Sequence, residues 1–156
     1  MIAKTARWTL VVAALLVSGC ETDPGAVEAT AVSLHDSYFN KCSSCHTPDA
    51  PGKTAQTEQN LDFSTAETMQ ASLKLKAKGL VGNQAGCNDV PFVEAGNAAG
   101  SLLVAVLDEA TRQAFDNSKY PSCDGTAISA MDNRVGGAPD AATLAALKQW
   151  INDGAN

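Results

Sequence analysis

Lys41-Cys42-Ser43-Ser44-Cys45-His46-Thr47 (KCSSCHT) sets two thiols three positions apart and places one of the chain's two histidines directly behind the second. Three chemistries use paired cysteines at this step. A thioredoxin-like redox pair needs its first Cys at a helix N-terminus behind a strand, where the helix dipole lowers the thiol pKa. Here the upstream residues 31–41 (AVSLHDSYFNK) show no strand alternation, and Leu34, Tyr38 and Phe39 form one helical stripe. The pair therefore closes a helix rather than opening one. A structural zinc site needs four ligands, usually with a second close pair. Cys87 and Cys123 are far apart and have no neighbouring His. The third chemistry is covalent haem attachment: both thiols add to the vinyl groups of one porphyrin, and the next residue supplies the iron's axial imidazole. The residues thus predict one haem c held by Cys42 and Cys45, with His46 as the proximal ligand.

That reading requires export, and the start of the chain supports it. Lys4 and Arg7 form a basic head, and residues 8–17 (WTLVVAALLV) are an apolar run too short to span a bilayer but suited to a secretory signal. Val17-Ser18-Gly19-Cys20 resembles the bacterial lipoprotein box, in which the Cys is lipidated and becomes the new N-terminus. The plainer alternative is an ordinary signal peptide cut nearby. The expected organisation is a lipoprotein signal peptide over 1–19, a flexible tether over 20–31 carrying lipid on Cys20, and one folded domain over 32–156. The Pro and Gly of residues 21–30 (ETDPGAVEAT), with no apolar periodicity, read as a solvated spacer. The predicted location is the cell envelope, periplasmic or extracytoplasmic and anchored to a membrane. The full chain carries 11 basic and 17 acidic residues; loss of Lys4 and Arg7 leaves 9 against 17, or −8. Such a balance disfavours nucleic acid and favours redox partners with basic docking surfaces.

Three stretches carry a resemblance. Residues 38–47 (YFNKCSSCHT) look like the first helix and haem turn of class I cytochromes c, and residues 142–155 (ATLAALKQWINDGA) are similar to their closing helix. Residues 96–103 (GNAAGSLL) resemble a segment of the planctomycete-type cytochromes c. The resemblance implies an all-α, cytochrome c-like domain around one haem, with the first and last helices crossing beside it. Residue patterns agree. Asp140 is a suitable N-cap for a helix with Leu144, Leu147, Trp150 and Ile151 on one face, and Gly154 suits its C-terminal stop. Ser64-Thr65-Ala66-Glu67 reads as a capping box ahead of Met69 and Leu73. A further helix is expected over about residues 98–115, with Leu102, Leu103, Val106 and Leu107 inward. No segment reads as a confident strand.

The sixth iron position has three candidates. Met69 belongs to a helical stripe, where a Met is ordinarily core filler. His35 lies early in the helix that carries the attachment site, where the expectation is a surface or capping role. Met131 sits in a Gly-containing loop just before the last helix, which is where class I cytochromes place their methionine. The family usually has Pro after that Met; here Asp132 follows. The resemblance therefore implies His46/Met131 ligation. Cys87 and Cys123 are expected to form a disulfide in an oxidising compartment, the alternative being two buried free thiols. The expected function is electron carriage rather than catalysis. The alternative is a haem enzyme or ligand-binding sensor with an open sixth position.

Overall fold

Thr30 begins the first helix. Its backbone is extended, and its side-chain oxygen accepts from the Ser33 N–H at 3.2 Å, capping α1 (Ala31–Ser37). The computed structural model describes residues 26–48, 61–115, 118–131, 134 and 137–156. The signal segment 1–19 and Cys20 lie outside the described residues, whereas Val27 and Ala29, near the end of the expected tether, are partly buried against the core. Leu34 is fully buried. At Tyr38 the backbone leaves helical geometry, and a 3₁₀ turn (Phe39–Ser44) carries the chain through Cys42. The stripe Leu34, Tyr38, Phe39 is buried throughout, so the expected helix exists as a helix and a tighter turn.

α2 (Ala66–Leu73) is capped one residue later than the sequence suggests. Thr65 and Thr68 exchange the two capping-box hydrogen bonds, while the Ser64 N–H is already taken by Asp62 Oδ1 at 2.9 Å. Met69 and Leu73 are fully buried, as their spacing predicts. The chain then loops back on itself. Ala77 donates to the Val90 carbonyl at 2.9 Å and accepts from the Asp89 N–H at 2.8 Å, but this pairing is an isolated bridge between Lys76 and Pro91. The described residues contain no strand. A second 3₁₀ turn (Gly82–Cys87) brings Cys87 to Cys123, and the two form a disulfide with Cα atoms 4.5 Å apart.

The helix expected over 98–115 is two helices, α3 (Leu102–Leu107) and α4 (Glu109–Gln113). The break is at Asp108, whose backbone is extended and whose carboxylate accepts from the Thr111 N–H at 3.3 Å and from Lys148 at 2.8 Å. The last helix, α5 (Ala141–Asn152), follows the prediction closely. Asp140 accepts from the Thr143 N–H at 2.7 Å; Leu147, Trp150 and Ile151 are buried; and Gly154 turns the chain with φ +103°. α1 packs against both α2 and α5. Residues 96–98 are tied to the end of α5: the Gly96 N–H donates to the Ile151 carbonyl at 2.8 Å and the Ala98 N–H to Asn152 Oδ1 at 3.0 Å. The architecture is mostly helical, and no helix among the described residues is long and apolar enough to cross a membrane.

Candidate functional site

The N–H groups of Cys45 and His46 both donate to the Cys42 carbonyl, at 3.1 and 2.8 Å. This closes the CSSCH segment into a tight turn at the C-terminal end of the helical stretch. It leaves Cys42 half-buried and Cys45 exposed, both as thiols. Burial pushes the Cys42 thiol up to about 11, against the lowering influence of Lys41 and with a smaller raising influence from Cys45. A thiol held protonated at the C-terminal side of a turn is the reverse of an activated redox cysteine. Cys87 and Cys123 are bonded to one another, which removes both from any zinc set with Cys42 and Cys45.

His46 is fixed from the opposite direction. Its carbonyl accepts from the Phe63 N–H at 2.7 Å, and the Phe63 ring meets its imidazole edge-on, with centroids 5.5 Å apart and planes at 80°. Phe63 is in turn stacked on Phe39, centroids 5.5 Å apart and planes 8° from parallel. Burial lowers the His46 pKa, which favours the neutral ring. His46 Nδ1 is buried and has no hydrogen-bond partner among the described residues. Buried polar atoms are ordinarily paired, so this one calls for an explanation.

Cys42 and His46 both line one cleft enclosing about 1000 Å³ of non-protein space, open mouth included. α3 supplies one wall with Leu102, Leu103, Val106 and Leu107; Leu61, Phe63 and Phe92 add to the apolar lining. Cys87 brings the disulfide to the wall, and the chain beyond Cys123 supplies Ala127, Ile128, Ser129 and Met131. Met131 is held by its N–H, which donates to the Val106 carbonyl at 2.7 Å, and the residue is 37% exposed. Asp132 lies outside the described residues. Cys45 is not among the lining residues, whereas Arg134 is, as the cleft's one charged side chain among the described residues.

The structure therefore brings Cys42, His46 and Met131, from two distant stretches of sequence, to the same apolar space. Met69 is core and does not reach the cleft. His35 is neither a lining residue nor a simple surface group: its Nε2 lies 3.1 Å from the Phe63 carbonyl and its Nδ1 3.2 Å from Asp36 Oδ1. Phe63 itself was not foreseen from sequence, nor was Arg134. The only available signal for Phe63 was an aromatic residue immediately ahead of a capped helix. Comparison with protein-family models, with curated proteins and with solved structures gave no match to this chain.

The residues present fit a covalently attached iron porphyrin. Imidazole and thioether are donors that a haem iron takes, and a thiol can add to a porphyrin vinyl; His46, Met131 and Cys42 supply these at the cleft, while Cys45 stands exposed beside it. The lining around them is mostly apolar, as a porphyrin face requires.

Proposed function

We propose that this chain is a mono-haem c-type cytochrome, of the class I kind and resembling the planctomycete-type group, that carries electrons in the bacterial cell envelope. The observation that carries this reading is the convergence of Cys42, His46 and Met131 on one apolar cleft. Cys42 and Cys45 would hold haem c through thioethers, and His46 and Met131 would ligate its iron. The bound iron would supply a one-electron couple, raised in potential by the neutral thioether. The chain's own residues do the rest. Burial keeps His46 in the neutral form that coordination needs. Leu102, Leu103 and Phe92 give the cleft apolar walls, and the Met131 N–H bond to the Val106 carbonyl ties the Met131 backbone to α3. A lipid on Cys20 would keep the domain at the membrane, and an electron carrier rather than a catalyst is the role proposed.

The test has two parts. Matured protein is expected to keep its pigment through acidified acetone, because thioethers survive that extraction; a colourless or extractable preparation overturns the haem assignment. Reduced protein mixed with carbon monoxide is expected to show little spectral change, and Met131→Ala is expected to lower the potential and alter the reduced spectrum. The second reading, a haem enzyme or sensor with an open sixth position, draws on the partial exposure of Met131 and on Arg134 in the lining. A prompt Soret shift of the wild-type protein with carbon monoxide would favour it.

A further inference from the structure

His46 is joined to the rest of the fold by more than its own chain. Its carbonyl accepts from Phe63, whose ring lies edge-on to the imidazole, and Phe63 is buried between that ring and Phe39. One backbone hydrogen bond and two ring contacts leave the carbonyl end of the Phe63 peptide still to be fixed. The Phe63 carbonyl is what the histidine of α1 holds: His35 Nε2 is 3.1 Å from it, across 28 residues of sequence. His35 is itself steadied by Asp36 at 3.2 Å. The peptide on either side of the Phe63 ring is therefore bonded at both ends, to His46 through its N–H and to His35 through its carbonyl.

We propose that His35 is a positioning residue that, by clamping Phe63, fixes the plane of the His46 imidazole. The inference rests on the reading of His46 as an axial ligand for its functional meaning; the clamp itself rests on the hydrogen bonds and ring contacts alone. Ring orientation matters to an axial imidazole because the plane it adopts governs how its orbitals meet the metal's. Unlike an ordinary second partner of a ligating histidine, His35 acts on a residue between itself and the ligand, and it touches neither the ring nor the cleft.

The experiment uses the full matured protein and three variants. His35→Leu removes the donor, His35→Gln keeps an N–H that can reach the Phe63 carbonyl, and Phe63→Leu removes the ring while leaving its peptide. NMR reads two quantities, the hydrogen exchange of the residue-63 amide and the His46 ring resonances. In His35→Leu the amide is expected to exchange about tenfold faster, the loss expected for one hydrogen bond, and the His46 ring signals are expected to move. His35→Gln is expected to restore both. Phe63→Leu is expected to move the His46 signals while its own amide stays protected. General loosening of the fold would instead speed exchange in α5 as well, and that result, or wild-type His46 signals in His35→Leu, overturns the clamp. Should His35→Leu not fold, His35→Asn, whose amide is too short to reach the Phe63 carbonyl, is expected to give the same two changes, and wild-type His46 signals in it overturn the clamp. Both quantities are readable in protein without pigment, so a colourless preparation would overturn the haem assignment and leave the clamp to be judged on its own signals.

Discussion

Asp108 performs two tasks with one carboxylate. It caps α4 through the Thr111 N–H and accepts from Lys148 of α5 at 2.8 Å, with its side chain only 16% exposed. The Lys148 ammonium, followed by the Thr111 hydroxyl, holds its carboxyl below the usual carboxylate range. A carboxyl with a lowered folded-state pKa contributes stability above its unfolded value, about 3.9, and loses it as pH falls through the folded one. Asp108→Asn keeps a capping oxygen but loses the ion pair and should cost about 1 kcal/mol at neutral pH; Asp108→Ala loses both and should cost about 2 kcal/mol. Urea midpoints measured from pH 7 down to pH 3 should show the Asn variant converging on wild type in acid. A gap that stays constant with pH would show the pair to be inert. The same residue marks the limit of what the sequence discloses. Cys42, Cys45 and His46 stand out in the sequence because their spacing is a pattern contained in one short turn. Asp108 was not, because the break it makes depends on a lysine 40 positions away. Phe63 was hidden for the same reason, since its role comes from contacts with His35, Phe39 and His46.

At the level of elements, local chemistry was readable wherever one stretch of chain decides the outcome. Asp140 and Gly154 bracket α5 as their types predict, with the buried face in phase. The cap of α2 falls on Thr65 rather than on Ser64 as the sequence suggests, because the Ser64 N–H is bonded to Asp62 Oδ1 instead of to a capping partner in the helix. The second 3₁₀ turn left no periodic signal at all; its place is set by the disulfide at its end. That bridge, expected from the count of exported cysteines, closes a loop of 36 positions and should contribute roughly 4 kcal/mol on the chain-entropy account. Its closeness also constrains its neighbour. A Cβ on Gly86 would fall on the Ser122 backbone carbonyl, which no rotamer change can relieve. Gly86→Ala should therefore destabilise by about 1–3 kcal/mol. It should do so only while the bridge is closed: in a Cys87→Ser/Cys123→Ser background the same substitution should cost much less. Denaturation midpoints of the four proteins form a double-mutant cycle. Additive costs would mean that the tight approach of the two segments does not depend on the bridge.

Across the whole molecule the governing quantity is charge. The full chain carries −6, or −8 if residues 1–19 are removed as proposed, yet Lys74, Lys76 and Lys78 are exposed together on the segment that leads to Leu80 and Gln84 of the cleft lining. Net charge and local charge thus oppose one another near the cleft. Ionic strength separates them, because screening sets how much of the molecule an approaching reagent feels. At about 10 mM salt the Debye length is roughly 30 Å, on the scale of the whole domain, whereas near 150 mM it is about 8 Å. At low salt the net negative charge should govern, so oxidation of the reduced protein by a cationic ruthenium ammine should be fast and should slow as salt is added, while ferricyanide should show the opposite slope. Stopped-flow rates across that range measure both. Replacing the three lysines with glutamine should steepen each slope without changing its sign. If instead ferricyanide is the faster oxidant at low salt and loses its advantage in the triple variant, the lysines outweigh the net charge, and the expectation of basic redox partners reverses to acidic ones.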